Sequence, residues 1–177
     1  MIAKDGLENF GINRLAKAAG VSPATIYIYY KDKEDLITSI SIEEGLKMSR
    51  ATLEGFDPEM HFEDGLWLQW KNRANYMLAN ELGTAFFEQL RNSTYREKMV
   101  EAIADDFKQT LGNYMENAVK KGELADMTLE VYWSIAFAPL YSLIRFHNEG
   151  GVGGRKFVFS PKVMKETFGF VLKALKK

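Results

Sequence analysis

The sequence has no cysteine, which excludes disulfide staples, thiolate metal sites and a cysteine nucleophile together and fits a reducing compartment. Its fold must therefore rest on packing. Proline is scarce, with only Pro23, Pro58, Pro139 and Pro161 in 177 residues, and the long proline-free stretches favour helices. No apolar run approaches the roughly 18 to 20 residues that span a bilayer, and Met1-Ile2-Ala3-Lys4-Asp5-Gly6 lacks the layout of a signal peptide. The expectation is a cytoplasmic chain with no membrane partner. An excess of charge of either sign is also missing. Lys and Arg number 23 against 24 Asp and Glu, so no global basic field draws nucleic acid and any such contact must be local. With two histidines, His61 and His147, neither preceded by Glu at three positions, the paired Glu-x-x-His set of a di-iron bundle cannot be written. His-Glu-x-x-His, Gly-x-Ser-x-Gly and Walker A patterns are absent too. The reading is a non-enzyme, with no catalytic residue, metal or cofactor expected.

What is present is 46% hydrophobic and 13% aromatic, enough for one sizeable core or two small ones. From Tyr95 to Lys121 the positions Met99, Ile103, Phe107, Leu111, Tyr114, Met115 and Ala118 recur at steps of three and four, a helical stripe ended by Gly122. A second helical pattern starts near Asp126 or Thr128, with Pro139 expected to kink it. Gly150, Gly151, Gly153 and Gly154 must be loop, and Ser160-Pro161 reads as cap and first residue of a final helix. Asp57-Pro58 is expected to open a helix running through Phe62, Leu66, Trp70, Ala74 and Met77, with a shorter one around residues 85–92. No convincing strand is found. The expected fold class is all-α.

The most informative stretch is FGINRLAKAAGVSPATIYIYYKDKEDLITSISI, from Phe10 to Ile42. Ile12, Leu15 and Ala16 share a helix face, Gly20 ends that helix, Val21 is expected to turn inward, and Ser22-Pro23 caps the next helix. Helix, tight glycine turn and helix set a second helix outward, the geometry that enters a major groove. Spacing alone is common among helical hairpins, but the ordered string Ala19-Gly20-Val21-Ser22, Thr25-Ile26-Tyr27-Ile28-Tyr29-Tyr30, Lys31-Asp32-Lys33-Glu34-Asp35-Leu36 resembles the DNA-binding domain of the TetR family of transcriptional regulators. The resemblance covers about the first 40 residues. That family begins with a full first helix, of which Ile2-Ala3-Lys4-Asp5-Gly6 looks like the end.

The resemblance implies a helix-turn-helix domain over residues 1–40 and a regulatory bundle over residues 41–177 that dimerises and binds a small effector. Double-stranded operator DNA is the implied partner, and the implied function is a repressor released by an apolar or aromatic molecule. The rival reading is a helical ligand-binding or interaction protein that has lost DNA binding. DNA contact is expected between Ser22 and Lys33, where Ala24 and Thr25 are the base-edge candidates. The family implies phosphate contact for Tyr27 and Lys33. Lys31 lies beside them, and Ile28 stands where many relatives carry a polar or aromatic group, so it either meets a thymine methyl or makes no contact. The lysines could equally be solvated, and Tyr27, Tyr29 and Tyr30 could be core. In the bundle, aromatics at helical spacing ordinarily pack a core. A mostly apolar pocket with a few polar groups is also how small molecules are held, which makes Trp67, Gln69, Trp70, Arg73, Phe86, Phe107, Tyr114 and Trp133 candidates, with solvent exposure the alternative for Gln69 and Arg73. A homodimer through the last two long helices is expected, with Phe137, Leu140, Phe168 and Leu172 at its interface.

Overall fold

The computed structural model describes residues 1–177, apart from the side chains of Asp105, Asp106 and Lys108. Ten helices form, α1 Ile2–Asp5, α2 Ile12–Ala19, α3 Pro23–Tyr29, α4 Lys33–Leu53, α5 Phe62–Ala79, α6 Glu81–Leu90, α7 Thr94–Lys120, α8 Leu129–Ala136, α9 Ala138–Asn148 and α10 Pro161–Leu175. Among the described residues the nearest thing to a strand is one isolated bridge between Val152 and Arg155. The fold is all-α.

The chain packs as two units. The first comprises Met1–Arg50 and Ala79–Asp106, the second Ala51–Leu78 and Phe107–Lys177, so packing divides the chain elsewhere than at residue 40. In the first unit, Ile2, Phe10, Ile12, Ala16, Ile26, Leu36 and Ile37 bury against Phe86 and Leu90 of α6, with Leu15 and Tyr30 packed at the edge. A helix some 40 residues downstream thus completes the small core of the N-terminal segment. Gly45 lets α4 and α7 approach within this unit, since a Cβ there would lie 2.6 Å from Met99 Cγ.

In the second unit α5, the later part of α7, and α8 to α10 enclose Phe62, Leu66, Trp70, Tyr114, Tyr132, Phe137, Leu140, Ile144 and Phe168. Gly65 is required by Tyr114, whose ring would stand 2.7 Å from a Cβ at that position. The Tyr114 hydroxyl donates to the carbonyl of Phe62.

Three local expectations are corrected. Asp57-Pro58 does not open α5. Its carboxylate accepts from the Glu59 N–H at 2.9 Å and its carbonyl from Met60 N–H at 3.0 Å, closing a turn before the helix begins at Phe62. Around Pro139 the helix does not kink but divides, α8 ending at Ala136 and α9 taking the proline into its first turn, where a missing N–H is harmless. Val21 is 41% exposed rather than turned inward. The turn is closed by backbone, with the Val21 N–H donating to the Ala16 carbonyl at 3.0 Å, so the side chain is not needed to hold it.

Candidate nucleic-acid interface and candidate effector site

The helix-turn-helix is assembled from local rules. Gly20 adopts φ +69°, a left-handed conformation that costs glycine little, and ends α2. Ser22 Oγ then accepts from the Thr25 N–H at 3.2 Å and lies 3.0 Å from Thr25 Oγ1, capping α3 with Pro23 in its first turn. Ile26 faces the core, which turns Ala24, Tyr27 and Ile28 to water, spaced three and four apart on one face. Tyr27 is 52% exposed and Ile28 76%. Tyr29 is as open as Ile28, while Tyr30 is half-buried and packs against the core.

The turn into α4 is fixed by a reciprocal pair of caps. Asp32 Oδ1 accepts from the Asp35 N–H at 2.8 Å, and Asp35 Oδ2 accepts from the Lys31 N–H at 2.9 Å. Lys31 is left exposed. Lys33 is half-buried, its ammonium 5.8 Å from the centre of the Phe10 ring, so the core side anchors its stem. The short helix thus shows a tyrosine and an isoleucine to water, and Lys31 and Lys33 follow it in the chain.

In the second unit the candidates separate by what their polar atoms do. Trp70 is fully buried, its Nε1–H donates to the Ala136 carbonyl at 2.7 Å, and its ring meets Phe168 edge-on at 5.5 Å. Tyr114 is likewise bonded, stacked on Phe62 and met edge-on by Phe56. Trp67 is half-buried against Phe168. These three pack the unit. Phe86 does not join them, because it lies in the core of the first unit beside Phe87.

Arg73 and Gln69 are the unexpected pair, since both are buried rather than facing solvent. They lie one helical turn apart on α5, and Arg73 Nη1 donates to both the carbonyl and the side-chain oxygen of Gln69. Arg73 Nε donates to the Tyr141 hydroxyl at 3.1 Å. The guanidinium sits 4.0 Å from the centre of the Phe137 ring, with Trp133 and Phe107 at 5.6 and 5.7 Å. Phe107 and Trp133 also touch each other, 5.8 Å between centroids. Tyr141 completes this surround, and Tyr132 meets the Phe137 ring edge-on at 5.9 Å. Sequence reasoning missed them because periodicity marks a buried face without showing which polar atoms on it lack partners.

The residues expected at a dimer interface lie in or against the core of the second unit. Phe137, Leu140 and Phe168 are enclosed by their own chain, and Leu172 packs against the same core, because α8 to α10 spend their apolar stripes on α5 and α7. On α10 the large apolar side chain that does face water is Phe170, 64% exposed. Among the described residues no helix is long and apolar enough to cross a membrane, and no group of three or more His, Asp or Glu is placed to hold a metal ion.

Comparison with known proteins agrees with this layout. Residues 1–40 match the family described as "Bacterial regulatory proteins, tetR family". An uncharacterized HTH-type transcriptional regulator of Haemophilus influenzae is 36% identical over 73 residues, 41% of this chain and 38% of that protein. The fatty acid metabolism regulator protein of Bacillus subtilis is 26% identical over 130 residues, 71% of this chain and 66% of that protein. The matched stretches thus span less than two thirds of either relative's length. Among solved structures, a TetR family transcription regulator from Marinobacter aquaeolei superposes with a TM-score of 0.79 at 22% identity, covering 98% of this chain and 88% of that one.

Proposed function

We propose that the chain, whose first 40 residues match the family described as "Bacterial regulatory proteins, tetR family", is a transcriptional regulator that reads operator DNA through α3. The exposed face of Ala24, Tyr27 and Ile28 carries this reading, since a seven-residue helix that shows its apolar side chains to water has no fold-level reason to do so. Ala24 and Thr25 are the base-edge residues. Thr25 shares its hydroxyl with the Ser22 cap, so its reach to a base runs through its methyl or through a rotated hydroxyl. Ile28 supplies an apolar contact suited to a thymine methyl. Tyr27, Lys31 and Lys33 hold the phosphate backbone, which positions the helix without reading sequence.

The second unit serves as the effector domain. Support comes from the Arg73 surround, a polar group set inside aromatic side chains, which is the composition of a small-molecule site. A ligand changes DNA affinity only by preferring one arrangement of the protein over another. The helices α4 and α7 each contribute residues to both units, which gives such a preference a continuous route. The regulator acts as a repressor released by its effector, in the cytoplasm with the genome, and as a homodimer through the outer faces of α9 and α10. Two copies on one operator double the phosphate contacts of a chain whose formal charge is only -1.

Binding to DNA taken from upstream of the chain's own gene, followed by anisotropy against salt, tests the reading. Salt-sensitive, sequence-selective binding supports it, and equal weak binding to any duplex contradicts it.

A further inference from the structure

Arginine is almost never fully buried without a charged partner, because an unpaired cation in a low-dielectric interior is expensive to hold. Arg73 is 2% exposed, and among the described residues it makes no ion pair. Among those residues its Nη2 has no hydrogen-bond partner, nor has Gln69 Nε2, nor the hydroxyl of Tyr132. The orientation of the Gln69 amide is set by Arg73, which donates to its oxygen and so leaves the NH2 as the free end. Tyr132 lies within the electrostatic reach of the same guanidinium. Each of these three unpartnered groups can donate, two hydrogens from Nη2, two from Gln69 Nε2 and one from the Tyr132 hydroxyl. Unpartnered groups that can all donate, set around a cation, describe the complement of an oxyanion.

The surroundings define the rest of the ligand. Phe107, Trp133 and Phe137 stand around the guanidinium, and Phe107, Trp133 and Tyr141 are only half-buried, which makes theirs the side open to entry. One guanidinium balances one negative charge, which fits a carboxylate better than a dianionic phosphate. We propose that the effector is a monocarboxylate with an apolar or aromatic body, whose two oxygens take up Arg73 Nη2 and Gln69 Nε2 with Tyr132 as a third donor. This rests on the effector reading of the second unit and names the chemistry of that site.

The test compares acids with their uncharged esters. Octanoate, dodecanoate and naphthoate, each beside its methyl ester and below micelle-forming concentration, are titrated into the full chain while tryptophan fluorescence is followed, since Trp133 borders the site. At least one acid is expected to bind about tenfold or more tightly than its ester, the size of a charge-assisted hydrogen bond. Arg73→Met keeps the apolar stem and removes the charge. It is expected to fold with an unchanged or higher melting temperature and to bind acid and ester alike. If the esters bind as tightly as the acids, or Arg73→Met retains the wild-type preference, the carboxylate proposal is overturned while the effector reading stands. If neither acids nor esters bind at millimolar concentration, both fall.

Discussion

Tyr132 and Tyr114 are both fully buried, yet only one of them has its hydroxyl bonded, and the difference is measurable. Removing an unpartnered buried hydroxyl relieves its desolvation, so Tyr132→Phe is expected to raise stability by about 1 kcal/mol, whereas Tyr114→Phe loses a bond and lowers it by a similar amount. Denaturant unfolding of both variants checks this. Burial also holds both phenols well above the ordinary tyrosine range, opposed at Tyr132 by the charge of Arg73. A tyrosine whose folded pKa is raised contributes stability that is intact below the unfolded value of about 10 and is lost as pH climbs from there toward the folded value. The second unit should therefore begin to lose stability above about pH 10, and less steeply in the double Phe variant. Trp70→Ala should lower stability by roughly 3–5 kcal/mol, since it deletes a buried ring and the bond to Ala136. At this scale the sequence showed that Gln69 and Arg73 share a face with the aromatics. Burial and missing partners were not legible, because both depend on side chains from α8 and α9.

Among the elements, the end of α2 and the start of α3 were legible because every signal that shapes them is local: Gly20 at a left-handed stop, the Ser22 side chain on Thr25, Pro23 in the first turn. Ser22→Ala is accordingly expected to destabilise by about 1 kcal/mol and to weaken DNA binding with it, read by thermal melting and anisotropy together. Lys33→Ala tests a different property. It should weaken binding to all sequences alike and reduce the salt slope by roughly one unit, and an unchanged slope would remove Lys33 from the phosphate contacts while leaving α3 as the reader. The start of α5 was not legible from its own neighbourhood. Its first N–H, that of Phe62, is capped by the Glu123 carboxylate at 2.7 Å from 61 residues away, so the helix begins where a distant acid meets it and not at the nearest proline.

Over the whole molecule, the same limit explains the unit boundary. Residues 1–40 carry the family string, but their core is finished by Phe86 and Leu90 of α6, which no periodicity within that segment could announce. It also explains the dimer residues, since a broad apolar stripe on α9 or α10 looks the same in sequence whether its own chain or a second copy covers it. With Phe137, Leu140 and Phe168 enclosed, the outer face with Phe170 becomes the place to test. The wild-type chain should sediment at twice its 20.2 kDa mass, and Phe170→Glu should shift it toward monomer with little change in melting temperature. A monomeric wild type at micromolar concentration would contradict the dimer.

The central claim is that α3 reads DNA sequence, and selection from a randomised duplex library by the full-length chain tests it most directly. Selection with the wild type should enrich a single motif with two-fold symmetry, half-sites about one helical turn or a multiple apart, and a chain carrying Thr25→Ala and Ile28→Ala should lose that enrichment while remaining folded. A library that emerges unenriched, or an identical motif recovered by the variant, would contradict the account.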